Sequence, residues 1–130
     1  MAPNREGSGS PEVGDRRRHV GLTLPRSVKE GIVEAAAVIG WPAGQWVLTA
    51  AAEHGPGLRA RLGRVAVAKR PRLDDATFTA LYLTPDEREE LDDQARACGL
   101  NRSAFVTSVA RVALGDDVDE VADALRSQGE

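Results

Sequence analysis

The sequence predicts a mainly helical fold made by using one strand-helix-helix unit twice. Two observations carry that expectation. First, the stretch VGLTLPRSVKEGIVEAAAVIGWPAGQWVLTAA, from Val20, lies without a gap on TALYLTPDEREELDDQARACGLNRSAFVTSVA, from Thr79, at an offset of 59 residues, the spacing of Gly40 and Gly99. Leu22 meets Leu81, Leu24 meets Leu83, Glu30 meets Glu89, Ala36 meets Ala95, Val47 meets Val106 and Ala51 meets Ala110. Second, within each copy the apolar period changes from two residues to three or four, as it does where a strand gives way to helices. A unit of about 35 to 40 residues cannot bury a core alone. Each copy therefore needs the other, or a partner chain.

The elements follow in order. VGLTL alternates, with Val20, Leu22 and Leu24 on one side and Gly21 and Thr23 on the other; FTALYLT repeats this with Leu81 and Leu83 inward and Phe78, Ala80 and Tyr82 outward. A helix starts at once after each strand, at Pro25 in the first copy and at Thr84-Pro85-Asp86-Glu87 in the second. The second start combines a capping threonine, a proline at the first helical position and a glutamate that completes a capping box. Val28, Ile32, Ala35, Ala36 and Ile39 form one buried stripe, matched by Leu91, Ala95 and Cys98. Gly40 and Gly99 end these helices, where a left-handed residue is needed. A second helix follows each short turn, with Trp46, Val47, Ala50 and Ala51 inward in one copy and Phe105, Val106, Val109, Ala110, Ala113 and Leu114 in the other. Asn101 is the expected cap of the latter, and His54 the expected end of the former.

Composition narrows the function classes. The chain has 130 residues, 42% of them apolar but only 4% aromatic, so aliphatic residues must fill the core. Cys98 is the single cysteine, which excludes an internal disulfide and suits a reducing cytoplasm. No apolar run reaches the roughly 20 residues that span a bilayer, and residues 1–18 lack the apolar stretch of a secretion signal and read as a flexible tail. A cytoplasmic protein with no membrane association is expected. Net charge is −3 but unevenly spread. Residues 56–77 hold Arg59, Arg61, Arg64, Lys69, Arg70 and Arg72 against Asp74 and Asp75, and Arg16, Arg17 and Arg18 precede the first copy. The acid gathers in residues 116–130. Salt limits the reach of charge to about 8–10 Å, so this local asymmetry matters more than the total.

A short strand, a helix, a glycine turn and a second helix in about 40 residues resembles the ribbon-helix-helix DNA-binding proteins. The second copy, LYLTPDEREELDDQARACGLNRSAFVTSVARVAL, also resembles the DNA-binding accessory subunits of plasmid mobilisation relaxosomes. The resemblance implies a short two-stranded antiparallel β-ribbon over a helical core, and here a pseudo-dimer within one chain: a first repeat at 19–55, a basic linker at 56–77, a second repeat at 78–115 and an acidic C-terminal tail at 116–130. It implies that the ribbon enters the major groove of double-stranded DNA. The base-facing residues would be His19, Gly21 and Thr23 from one strand with Phe78, Ala80 and Tyr82 from the other. Family ribbons often carry Arg, Lys, Asn or Gln at such positions. This one does not, which shifts weight to DNA shape or to Arg16, Arg17 and Arg18 reaching in from the tail. Phosphates would be held at the N-terminus of the last repeat helix, by Asn101, Arg102 and Ser103.

Other readings of these residues are plainer. The acidic run Asp86, Glu87, Glu89, Glu90, Asp92 and Asp93 is a solvated helix face, with acid near the end the helix dipole favours. Cys98 aligns with Ile39 and reads as a small core residue. His19 and His54 lack companions at metal-ligand spacing. No residue pair has the type and placement for chemistry, so no catalytic, cofactor or metal site is expected. The residues DDVDEVADALRS can form a helix that packs on the core or meets a basic protein partner. The first functional reading is a sequence-specific transcriptional repressor, monomeric as a pseudo-dimer or else a homodimer. The alternatives are a relaxosome accessory protein at a plasmid transfer origin, or a DNA-binding antitoxin whose acidic tail holds its partner.

Overall fold

Alternating apolar residues build two strands, and three- and four-residue apolar steps build the helices that cover them. The computed structural model describes residues 17–62 and 76–129. In order these form strand β1 (Arg18–Pro25), helices α1 (Arg26–Ile39) and α2 (Ala43–Leu62), strand β2 (Ala76–Leu83), and helices α3 (Pro85–Ala97), α4 (Arg102–Ala113) and α5 (Val118–Gly129). The fold is mainly helical with one two-stranded antiparallel sheet. Arg16 and the rest of the expected tail before Arg17, and residues 63–75 of the expected linker, lie outside the described residues.

Register decides which side chains share a face. Val20 sits opposite Leu81, Leu22 opposite Thr79 and Leu24 opposite Thr77. Val20, Leu22, Leu24, Leu81 and Leu83 are all buried against the helices, and a fully buried leucine contributes roughly 1.5–3 kcal/mol by transfer from water. Beneath them Val47, Leu91, Phe105, Val106, Val109 and Ala110 form the centre of the core.

Local signals act as the sequence suggests. Thr84 Oγ1 accepts from Glu87 N–H at 3.1 Å and Glu87 Oε1 accepts from Thr84 N–H at 2.9 Å, a complete capping box. Asn101 Oδ1 caps α4 by accepting from Ala104 N–H at 2.8 Å. Gly40 and Gly99 have φ of 75° and 76°, the left-handed conformation that glycine adopts cheaply.

Three expectations are corrected. Helix α2 does not end at His54 but runs on to Leu62, so residues 56–62 are its last turns and not linker. Pro56 leaves the Ala52 carbonyl without its helical donor, which costs about 3 kcal/mol in an ordinary helix. Burial of Leu58 and Leu62 offsets that cost. Ile39, expected in the core, is 51% exposed, while its counterpart Cys98 is 5% exposed. The extension of α2 covers the end of α3, whereas α4 stops at Ala113 and leaves the end of α1 open, with Val38 and Trp41 beside it. Finally, Leu114, expected on the inner face of the last repeat helix, is its C-cap and is 43% exposed. Residues 118–129 form the expected helix and take the first of its two expected roles, packing on the core. Helix α5 packs on α2 and α4 with Val121, Ala122 and Leu125 buried. Arg61 Nε bonds Asp119 at 2.9 Å, and Arg126 donates to the Arg61 carbonyl at 2.6 Å, closing the end of α2.

Candidate nucleic-acid interface

The ribbon's outer face is made of three cross-strand pairs: His19 with Tyr82, Gly21 with Ala80, and Thr23 with Phe78. The inward leucines force this, because side chains alternate and whatever lies between them must point away from the core. Phe78 and Tyr82 are 69% and 58% exposed. The Phe78 ring lies over Gly21, where a β-carbon would meet its Cε1 at 3.0 Å. At the other end the His19 and Tyr82 rings sit 4.4 Å apart at 57°, and His19 Nε2 is hydrogen-bonded to the Tyr82 hydroxyl. The face is therefore apolar at its centre, with His19 and Tyr82 at one end and the Thr23 hydroxyl at the other.

The three residues expected to grip phosphate have their side chains engaged in hydrogen bonds within the chain. Asn101 is spent on its own helix cap. Ser103 Oγ accepts from Thr23 N–H at 2.9 Å. Arg102 makes a bidentate pair with Asp92, Nε to Oδ1 at 2.7 Å and Nη2 to Oδ2 at 2.8 Å, and donates to the Gly21 carbonyl at 3.3 Å. The hydrogen bond from Arg102 holds the Asp92 carboxyl below the usual aspartate range despite partial burial, with smaller help from the charges of Arg102, Arg88 and Arg96. The Arg102 guanidinium is correspondingly held more firmly protonated by Asp92. This cluster pins the outer edge of β1 to the start of α4. What remains there for an anion is the backbone N–H groups of the first helical turn.

The corresponding contact on the other strand uses no side chain. Gly44, in the first turn of α2, lies so close to β2 that a β-carbon would come within 2.9 Å of the Tyr82 carbonyl oxygen. Arg17 is also engaged, donating to Glu87 Oε1 at 3.1 Å beside the capping box. Arg18 is exposed but belongs to the inward-pointing set of β1, at its end. Arg16 lies outside the described residues.

Sequence reasoning missed the contact of Gly44 with β2 and the pairing of Asp92. Gly44 aligns with Ser103 at the repeat offset, which was a usable signal once Ser103 was known to touch a strand. Asp92 sits in an acidic run, and nothing along the chain distinguishes it from Asp93; only the α3–α4 turn brings it to Arg102. No protein-family model matches this chain, and no curated protein or solved structure does so either.

Proposed function

We propose that this protein binds double-stranded DNA sequence-specifically by placing the β1–β2 ribbon in the major groove, and that it acts as a transcriptional repressor by occupying its site. The observation that carries the reading is the outer face: two paired strands, backed by a helical core, that present His19–Tyr82, Gly21–Ala80 and Thr23–Phe78 to solvent. The major groove admits a two-stranded ribbon of this kind. Ala80 and the Phe78 ring suit thymine methyl groups, and Thr23 and Tyr82 offer hydroxyls to base edges.

The reading of the chain as a duplicated ribbon-helix-helix pseudo-dimer draws support from symmetry. Residues 59 apart, Gly21 and Ala80, sit directly opposite one another in the ribbon. The second helices of the two copies, α2 and α4, pack together. Thr23 meets Ser103 just as its counterpart Tyr82 meets Gly44, the counterpart of Ser103. Since the two strands differ in sequence, the DNA site would be asymmetric. The relaxosome alternative shares this geometry and differs only in target. The antitoxin alternative is less favoured, because the apolar side of α5 already serves the chain's own core.

Selection of binding sites from random duplexes, followed by footprinting on the DNA flanking the gene and on any adjacent transfer origin, tests the proposal. One asymmetric protected site upstream of the gene supports repression. Protection confined to a transfer origin supports the accessory role. Binding that is equal on all duplexes rules out sequence reading by the ribbon.

A further inference from the structure

We propose that the groove between α2 and α3 is a binding site for a small apolar carboxylate that also carries an N–H or O–H donor. The groove encloses about 580 Å³, with α2 on one wall, α3 on the other and Phe105 of α4 between them. Its width depends on Gly55, where a β-carbon would press on Phe105 Cζ at 3.3 Å. The neighbouring Pro56 has no N–H, so this part of the wall suits an apolar body.

Charge sets the rest of the ligand. Arg59 lines the groove and, among the described residues, has no ion-pair partner, whereas Arg61, Arg96 and Arg126 each hold an aspartate. Among the described residues that line the groove none is acidic, and burial pushes the Cys98 thiol up, against a weaker opposite pull from Arg59. A planar guanidinium at the rim of an apolar groove matches a carboxylate, which it can engage with two parallel hydrogen bonds. Gln94 supplies the third feature. Its side chain lines the groove, and its Oε1 is buried without a donor among the described residues. An unmet carbonyl of this kind is costly, and rotation about the soft terminal torsion of Gln94 turns it to a donor in the groove. The site stands apart from the ribbon and does not depend on the DNA reading.

Titration of the full-length ¹⁵N-labelled protein with indole-3-acetate tests this, followed by NMR at the Gln94 side-chain amide and at the Gly55 and Gly57 backbone. Two relatives separate the parts: 1-naphthylacetate lacks the ring N–H, and tryptamine carries an amine in place of the carboxylate. Indole-3-acetate is expected to shift the groove signals, with naphthylacetate weaker and tryptamine weaker by about tenfold or more. Arg59→Gln removes the preference for the carboxylate, and Ala97→Trp, at an exposed position, fills the groove and abolishes binding while the rest of the spectrum stays folded. Absence of groove shifts at millimolar indole-3-acetate, equal binding of tryptamine, or unchanged affinity in Arg59→Gln each overturns the proposal.

Discussion

The Thr23 backbone N–H donates to the Ser103 hydroxyl across 2.9 Å, so the outer edge of β1 is tied to the first turn of α4 by a side chain. Ser103→Ala leaves that donor to water at an exposed edge and is expected to cost about 0.5–1 kcal/mol. Hydrogen exchange at Thr23 should speed up while the core stays protected. On the other strand Gly44→Ala is expected to cost more, about 1–3 kcal/mol. The added carbon would meet the Tyr82 carbonyl at 2.9 Å and Leu83 Cδ2 at 3.0 Å, with a backbone atom unable to yield. Denaturant midpoints for the two variants give the order; the reverse order would mean that α2 does not press on β2.

Arg102 and Asp92 make stability depend on acid. Because the folded carboxyl is held below its ordinary value, it binds a proton less readily than in the unfolded chain. The stabilisation is therefore complete above the ordinary aspartate value of about 3.9 and is lost as pH falls through the lower, folded value. Asp92→Asn should destabilise the protein at neutral pH by about 1–2 kcal/mol, since the pair is partly buried and doubly hydrogen-bonded. It should also flatten the decline of stability below pH ~4. Thermal melts of both proteins across this range check the sign. An unchanged acid slope would place Asp92 away from Arg102.

Thr79 stands opposite Leu22 with its Oγ1 buried and, among the described residues, without a hydrogen-bond partner. Its counterpart at the repeat offset is Val20, which lies in the core. Thr79→Val keeps the branched shape and removes the unmet hydroxyl, and is expected to raise stability by about 1 kcal/mol. A lower melting temperature in this variant would show that the hydroxyl does have a partner in solution.

Much of this fold was legible because its signals are local. Thr84-Pro85-Asp86-Glu87, Asn101, Gly40 and Gly99 mark helix ends by chemistry that needs only their neighbours. The alternation of Val20, Leu22 and Leu24 fixes the outward set, so His19, Gly21, Thr23, Phe78 and Tyr82 could be named before any packing was known. The rest depended on contacts between distant segments. Pro56 reads locally as a helix stop, and only the burial of Leu58 and Leu62 under α5 explains why the helix passes it. Ile39 has the right spacing for a core residue, yet no element among the described residues covers it. Arg102 at a helix start reads as an anion clamp until the α3–α4 turn brings Asp92 to it.

Helix α5 should be required for folding. Leu125, 6% exposed, packs with Val121 and Ala122 over the extension of α2. Leu125→Ala is expected to cost about 2–4 kcal/mol, the usual range for a core leucine. Deleting residues 116–130 would uncover Leu58 and Leu62 and should lower the melting temperature well beyond the single substitution. Calorimetry of the point variant and the truncated chain checks this; a truncated chain as stable as the whole would make α5 an appendage.

Salt dependence should separate reading from anchoring. Most arginines of the folded part hold acids: Arg17 with Glu87, Arg61 with Asp119, Arg96 with Asp93, Arg102 with Asp92, Arg111 with Asp116 and Arg126 with Asp123. If the ribbon enters DNA, phosphate neutralisation falls largely to Arg64, Lys69, Arg70 and Arg72, which lead into β2 along the chain. Each phosphate contact adds about 0.9 to the slope of log affinity against log salt. Replacing these four residues with glutamine should therefore weaken binding to every duplex and lower the slope by about 2 to 4, whereas Thr23→Ala or Tyr82→Phe should leave the slope alone and change the preferred sequence. Arg102→Ala should reduce affinity only in step with lost stability, because its guanidinium is held by Asp92 and Gly21. Fluorescence anisotropy on specific and random duplexes over a salt series measures all three. A slope that drops with Arg102→Ala and not with the four-residue change would move the phosphate contact back to the start of α4.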